Sequence, residues 1–370
     1  MPHSRLRSVV AICSTLCGLV LGAGAATPAY DDAACFLAGI QPADSEPPAW
    51  SQSEAWKTHQ QLMGKRWEAY EDNTLKKIEA WAGKQVTPHT RQGGVVRYIF
   101  SGPDILHALR MFPDAGTFIL CGLEPVGEAP TAESLTAPNA AAGLREIRSA
   151  LGEILQFSFF RTNDMKDDLR QEIFPGTIPV MLLFLAASGE EVLDLEYLEL
   201  KPDGTVRPVR QAGPEVDGVR IDFADRSQPV AKRSLFYFST NVADFEIGKT
   251  GFLKFLEARP AGAAYAKAAS YLMHKEYFSV IRGHLLSHSE VVIQDDSGIP
   301  YGFFAADDWE ITRFGTYDGP IKLFSEWRQE TLRNAYRAGS QPLDFGTGYK
   351  WREGQSNLMR MVRRGGVVQQ

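Results

Sequence analysis

The chain has 370 residues, 44% of them hydrophobic and 23% charged, which is enough apolar material for one large or two medium cores. It carries 39 Lys and Arg against 45 Asp and Glu. This acidic balance argues against nucleic acid as a partner, and the composition excludes a largely disordered chain.

Residues 1–25 have the three-part pattern of a secretory signal peptide. Arg5 and Arg7 precede an apolar run over 9–21, and small residues follow up to Ala25. The alternative, a membrane anchor, is disfavoured because the run is short for a span. No later stretch of about 18 apolar residues occurs. The sequence therefore predicts cleavage after Ala25, a periplasmic or secreted protein, and no transmembrane span after cleavage.

Two cysteines, Cys35 and Cys121, follow the predicted cleavage site. An oxidising compartment permits a bridge between them, and we predict that bridge as the hypothesis to test. The alternative is two buried thiols, because Cys121 lies in an apolar segment and the spacing fits no metal site.

Residues 26–48 are rich in Ala, Asp and Pro and are interpreted as a leader before a domain over 49–340. Within 49–86, apolar and aromatic residues recur at three- and four-residue steps, which predicts a long amphipathic helix. The aromatic stripe could bind sugar, but such stripes more often pack on a core, so we interpret it structurally and place His59 on or beside it.

Residues 95–126 predict a strand, a Ser-Gly-Pro-Asp turn, a short helix and a second strand, an order that favours parallel pairing. Ser101 or Gly102 can cap the helix, and Asp104 suits the positive end of its dipole. Loops at the carboxyl ends of parallel strands hold ligands in α/β proteins, which would bring Ser101, Asp104 and His107 to a site. The fragment lacks a dinucleotide-binding G-x-G-x-x-G motif.

The remaining segments alternate between helical and strand patterns. Predicted helices cover 141–160, 162–172, 251–256 and 321–338. Predicted strands cover 178–187, 192–200, 205–210, 219–223, 234–240, 302–304 and 309–314. Residues 127–139 are interpreted as a loop and hinge, and 341–370 as a solvated basic tail. Together the segments predict an α/β fold with a mixed, partly parallel sheet and helices on both faces.

Residues 266–301 concentrate ionisable groups among apolar ones, as a pocket wall requires. A helix here places Lys275 and Arg282 seven residues apart on one face, where both can meet an anion or the pair Asp295 and Asp296. Adjacent carboxylates near cations suit acid and base roles. The alternative is a buried ion network that fixes the strand end to the helix.

His284 and His288 are four residues apart and would share one helical face, so a metal ion is an alternative if Glu290 or an aspartate supplies a third ligand. The H-E-x-x-H pattern is absent, and so are the G-x-S-x-G elbow, the P-loop and C-x-x-C. We predict no metal and no cofactor.

Five segments carry a family resemblance: FSGPD at 100–104, GLEPVG at 122–127, SYLMHK at 270–275, FSVIR at 278–282 and QDDSGIPY at 294–301. Through them the chain, over about 95–336, resembles an uncharacterised family of exported bacterial proteins. The resemblance implies a secreted or periplasmic protein but no activity. The family pattern does not include His284 and His288. It does include six other residues of this stretch, namely His274, Lys275, Arg282, Asp295, Asp296 and Ser297.

These observations predict a hydrolase that acts on an anionic or glycan-type envelope substrate. The alternative is a non-catalytic envelope module that binds a small molecule, a glycan or a protein. The predicted catalytic residues are His274, Lys275, Arg282, Asp295 and Asp296, and the predicted substrate-binding residues are Ser101, Asp104, Ser297 and Tyr301.

Overall fold

The computed structural model of the chain describes residues 29–42, 47–157, 173–229 and 231–366. The predicted signal peptide and the helix predicted over 162–172 lie outside the described residues.

A ten-stranded sheet runs through the described part of the chain. Its strands are β1 (Val95–Tyr98), β2 (Thr117–Gly122), β3 (Glu190–Leu200), β4 (Val206–Val209), β5 (Gly218–Asp225), β6 (Arg233–Ser239), β7 (Gly262–Ala266), β8 (Ser289–Gln294), β9 (Trp309–Gly315) and β10 (Asn357–Arg363). They lie in the order β4-β3-β5-β6-β2-β1-β7-β8-β10-β9. The central strands β6, β2, β1, β7 and β8 are parallel, and antiparallel pairs extend the sheet on both sides. The predicted mixed α/β fold is confirmed.

Helices cover both faces of this sheet. They are α1 (Ala29–Ala38), α2 (Glu54–Tyr70), α3 (Lys76–Gln85), α4 (Ile105–Met111), α5 (Ala132–Thr136), α6 (Ala140–Phe157), α7 (Ile178–Ala187), α8 (Asp244–Ile247), α9 (Phe252–Glu257), α10 (Ser279–His288) and α11 (Glu330–Ala338). Shorter 3₁₀ segments include Ala268–His274, Glu276–Phe278, Tyr301–Phe303 and Lys322–Trp327. A π-helical turn, Glu71–Leu75, joins α2 to α3, so the long helix predicted over 49–86 forms with one local widening.

Two hydrophobic cores lie on the two faces of the sheet. Alternation along β1 sends Val96 and Tyr98 into the first core, with α1 to α7, and Val95 into the second, with α8 to α11. Helix α4 connects β1 to β2 on the first face, and α10 connects β7 to β8 on the second. Adjacent parallel strands β1 and β7 therefore send their outgoing chains to opposite faces.

Segment 178–187 was predicted as a strand, and this prediction was wrong, because the segment is helix α7. Pro179 occupies its first turn, and its Leu, Met and Ala residues favour helix. The helix packs between α1, α4 and β3, so it is apolar on every side. An uninterrupted apolar run does not distinguish a buried helix from a buried strand.

The two ends of the described chain are structural rather than peripheral. The predicted leader contains α1, whose Cys35, Phe36 and Leu37 are fully or almost fully buried. The predicted solvated tail contains β10, which lies between β8 and β9 inside the sheet. Its basic residues find acceptors, since Arg360 donates to Gln85 Oε1 at 2.8 Å.

Two shorter predictions were also wrong. Residues 302–304 do not form a strand, since Tyr301–Phe303 is a 3₁₀ turn. The helix predicted over 321–338 is broken at Arg328, whose extended backbone separates Lys322–Trp327 from α11.

The predicted hinge over 127–139 contains α5, which a Thr131 capping box begins.

The predicted bridge between Cys35 and Cys121 is absent, and both thiols are free and buried. Cys35 lies on α1 in the first core, whereas Cys121 lies on β2 and points into the second. The sheet separates the two side chains, which excludes a bond between them without backbone movement. Burial raises the pKa of each thiol to about 12.

We therefore expect Cys35 and Cys121 to be alkylated by iodoacetamide without prior reduction once the protein is denatured. In the folded protein both should react far more slowly, because the reactive thiolate is suppressed. Peptide mass mapping with and without denaturant measures this. A disulfide-linked pair of peptides carrying the two residues would contradict the structure.

Candidate functional site

The candidate site lies where β1 and β7 end. In α/β sheets a crevice opens at the carboxyl ends of neighbouring strands whose connections leave to opposite faces. The chain that leaves β1 continues to α4 on the first face, and the chain that leaves β7 continues to α10 on the second. Residues that directly follow these strands are therefore placed at one crevice.

The turn after β1 places Asp104 at the start of α4. Asp104 is the N-cap, and its carboxylate accepts the backbone N–H of His107 at 3.3 Å. We had expected Ser101 or Gly102 as the cap. Ser101 instead donates its hydroxyl to the Gly102 carbonyl at 2.9 Å, which tightens the turn.

A buried ion pair joins the two strand ends. Lys267, the first residue after β7, places its Nζ 3.0 Å from Oδ2 of Asp104. Tyr98 donates its hydroxyl to the same oxygen at 2.9 Å. The side chains of Asp104 and Lys267 are 3% and 1% exposed, so the pair is shielded from water.

His107 connects this ion pair to α2. Its Nδ1 lies 2.6 Å from Oδ1 of Asp104, and its Nε2 lies 2.7 Å from the hydroxyl of Tyr70. Burial and the charge of Lys267 together lower the pKa of His107 more than Asp104 raises it, so the ring is neutral, with Nδ1–H donating to the carboxylate. Burial alone would raise the pKa of Asp104, but His107 and Lys267 outweigh it and lower that pKa. Asp104 is thus a firmly ionised carboxylate.

A pocket opens above the ion pair, and we call it the site pocket. It encloses about 730 Å³ of empty space, part of it open to solvent. Its walls are the segments that follow the four strands β1, β2, β6 and β7, namely 100–104, 121–124, 240–242 and 267–269, together with Leu272 and Phe278. Asp104, Lys267 and Tyr98 are its deeply buried polar groups.

Glu124 is a further buried carboxylate on this wall. It follows β2 and is 3% exposed, and Tyr237 donates its hydroxyl to the Glu124 carbonyl at 2.8 Å. The carboxylate turns back over Gly122, where a Cβ would lie only 2.0 Å from Oε2. Only glycine at position 122 leaves room for the acid in this place.

Backbone strain is concentrated at the same pocket. Within the described residues, Phe100 and Ala268 are the non-glycine residues with positive φ, at 65° and 56°. Each lies two residues after the end of a strand of the crevice, and both line the site pocket. Such conformations cost on the order of 1 to 3 kcal/mol each and persist where the surroundings enforce them, often at functional sites.

Asp296 lies in a second polar cluster, at the end of the neighbouring strand β8. Its Oδ2 accepts the hydroxyl of Tyr271 at 2.5 Å, and its Oδ1 accepts Asn357 Nδ2 at 2.6 Å and Lys350 Nζ at 3.0 Å. We call Asp295, Asp296 and these three partners the acidic cluster. None of its members lines the site pocket.

Asp295 is buried beside Asp296 and accepts the backbone N–H of Ser297 at 2.9 Å and its hydroxyl. Burial and the charge of Asp296 raise the pKa of Asp295 to about 7, although Ser297 and Lys350 oppose the shift. One of two adjacent carboxyl groups therefore holds a proton near neutral pH, as the expected acid and base roles require.

Lys275 and Arg282, the predicted cations of this stretch, do not converge on the carboxylates. Arg282 donates to the carbonyls of Met273 and Lys275, at 2.5 and 3.2 Å, and so fixes the 3₁₀ segment. Lys275 lies over the ring of Tyr277. Asp296 takes its cation from Lys350 instead, so the predicted meeting of Lys275 and Arg282 with the aspartates was wrong.

His274 packs against Tyr271 and Trp327 at the edge of the acidic cluster. Burial lowers its pKa to about 4, so the ring is neutral at neutral pH. Tyr301 is anchored by its backbone N–H, which donates to Gln329 Oε1 at 2.7 Å.

The histidines that raised the metal alternative stack on each other. The rings of His284 and His288 lie 4.2 Å apart between centroids, with 18° between their planes. Within the residues that the structure describes, no group of three or more His, Cys, Asp or Glu side chains could hold a metal ion.

Sequence reasoning missed Lys267 and Glu124, two charged side chains that line the same pocket as Asp104. Both had a signal in the sequence. Lys267 directly follows the small apolar run of β7, and Glu124 lies in the GLEPVG segment two residues after β2. We had assigned the region of Lys267 to a helix, which hid its position at a strand end.

Comparison with protein-family models, with curated proteins and with solved structures found no match. In the described part of the chain, no helix has the length and apolar character needed to cross a membrane.

Replacing Asp104 by Asn or Lys267 by Met should each cost roughly 3 to 5 kcal/mol of unfolding free energy, because each leaves the partner charge buried alone. The double variant should lose less than the sum of the two, since neither charge remains. Urea unfolding of the four proteins measures the coupling. Additive losses would show that the two groups do not interact.

Replacing Asp295 by Asn should change how stability depends on pH. The folded pKa of about 7 exceeds the unfolded value of about 3.9, so the folded protein binds the extra proton. The stabilisation that this proton gives the folded state is complete below about pH 4 and is lost as pH rises to about 7. Relative to Asp295→Asn, the parent should therefore lose on the order of 2 to 4 kcal/mol between these limits. Urea unfolding across this range measures it, and a pH-independent difference would contradict the assignment.

Proposed function

We propose that the protein is an exported hydrolase whose reaction takes place in the site pocket, on an envelope substrate that contains a carbonyl group. The observation that carries this proposal is the buried ion pair between Asp104 and Lys267 at the base of a pocket at the crevice. Export rests on the predicted signal peptide and on the family resemblance.

Lys267 is the electrostatic group of the proposed reaction. Its ammonium is held in place by Asp104, which is in turn fixed by Tyr98 and His107. A preorganised cation in a water-poor pocket stabilises negative charge that develops on a substrate oxygen. Asp104 accepts four hydrogen bonds or ionic contacts and has a lowered pKa, so it positions Lys267 rather than taking a proton.

Glu124 is the proposed general base. Its carboxylate takes a proton from water, and the water oxygen attacks the carbonyl carbon of the substrate. The negative charge on the carbonyl oxygen is stabilised by Lys267. When the intermediate collapses, the bond to the leaving alcohol breaks and the alcohol takes the proton from Glu124, which gives an acid and an alcohol.

The acidic cluster supports the pocket from the next strand end. Asp295 lies close to Lys267, since a Cβ at Gly348 would be 2.3 Å from Asp295 Oδ2 and 3.5 Å from Lys267 Cβ. We assign the predicted catalytic Asp295 and Asp296 to positioning this strand end, with Tyr271 and Lys350. His274 packs on that cluster outside the pocket, so we give it the same role.

A second candidate is non-catalytic binding of the same kind of ligand. One observation favours it: within the pocket the ion pair is already satisfied, so it can hold a polar group without chemistry. The two candidates share the pocket and differ only in whether Glu124 activates water.

Replacing Glu124 by Gln should lower ester turnover by about 10² to 10⁴-fold with little change in melting temperature, because the amide cannot take a proton. Hydrolysis of p-nitrophenyl esters measures it. Glu128→Gln is the matched control, since that residue is exposed four positions further on. Equal losses in the two variants, or no hydrolysis by the parent while ligand still binds, would leave the binding module as the function.

A further inference from the structure

The site pocket has its polar groups at the base and its apolar groups at the mouth. Lys267 and Asp104 are 1% and 2% exposed, whereas Leu123 on the wall is 52% exposed. A soluble protein normally arranges these groups the other way round, with charge outside and apolar surface inside. The arrangement fits a ligand whose polar end enters first and whose apolar part stays at the mouth.

Aromatic rings continue this apolar surface beyond the mouth. Phe100 and Phe278 line the pocket with ring centroids 5.4 Å apart, Tyr277 lies 5.0 Å from Phe278, and Phe245 lies 6.4 Å from Tyr277. We call these four residues the aromatic path. Its outer members, Phe245 and Tyr277, are 61% and 44% exposed.

Hydrogen bonds tie together the two segments that carry the outer rings of the aromatic path. Asp244 accepts the backbone N–H groups of Ser279 and Val280, at 3.1 and 2.9 Å, and so ties α8, which carries Phe245, to the segment of Tyr277. Exposed rings fixed next to one another form a contiguous apolar patch, which marks an interaction site more strongly than scattered residues do.

The arrangement of the rings indicates which kind of ligand the patch can bind. Each ring of the path contacts the next, from Phe245 at the exposed end to Phe278 and Phe100, which line the same pocket as Lys267. A row one ring wide that leads to a partly open pocket fits an extended alkyl chain, whereas a protein partner requires a broad surface of several hundred Å².

We propose that the ligand is a single-chain amphiphile that places a carboxylate or ester group at Lys267 and lays its alkyl chain along the aromatic path. This inference rests on the proposed function only for the position of the polar group. It narrows the substrate class to esters of medium or long alkyl chains.

Calorimetric titration with straight-chain carboxylates from butanoate to dodecanoate, below their micellar concentrations, tests the inference. Affinity should rise by about 30-fold or more along the series, because each buried methylene strengthens binding by up to about fourfold. The double variant Phe245→Ser, Tyr277→Ser should bind dodecanoate about tenfold more weakly and butanoate as the parent does. Leu62→Ser is the matched control, since Leu62 is 43% exposed on α2, away from the pocket. It should bind every ligand as the parent does.

Affinity that does not depend on chain length, or an equal loss in the Leu62 variant, would overturn the inference. A chain-length dependence without any ester hydrolysis would end the proposed reaction and leave the amphiphile site standing. If acetyl and dodecanoyl esters are hydrolysed equally fast and affinity does not depend on chain length, the amphiphile site is overturned and the proposed reaction remains.

Discussion

The ion pair between Asp104 and Lys267 is the interaction on which the architecture of the site depends. It joins the ends of two parallel strands whose chains leave to opposite faces of the sheet, and it does so where neither charge meets bulk water. A buried pair repays its desolvation only when further hydrogen bonds complete it. Tyr98 and His107 provide those bonds from the first core, so the site is stabilised by the same helices that build that core.

Several unfavourable local features lie around the pocket of this pair. Phe100 and Ala268 adopt a left-handed backbone on either side of the crevice, and Gly122 leaves its side-chain space to the Glu124 carboxylate. Each feature costs stability when considered alone. Together they bring a cation and two carboxylates to one pocket whose remaining walls are mostly apolar, which is an arrangement that core packing by itself does not produce.

The sequence predicted the parts of this structure that depend on neighbouring residues. The β1-α4-β2 unit follows from periodicity and from its turn residues, and strands β3 and β4 follow from periodicity. Asp104 was placed at the site because its turn follows a strand. The partner at Lys267 could not be found in this way, since it lies 163 positions along the chain and only strand pairing brings it close. The helical state of 178–187 and the insertion of β10 were missed for the same reason, because burial on all sides and strand order are set by distant segments.

The position of β10 inside the sheet has a consequence for how the chain is made. Synthesis proceeds from the amino terminus, yet β9 pairs with β10, and Asp296 receives Lys350 and Asn357 from the last segment of the chain. These contacts close loops of about 40 to 60 residues, so they form later than local contacts do. The second half of the sheet therefore stays open until almost the whole chain is available.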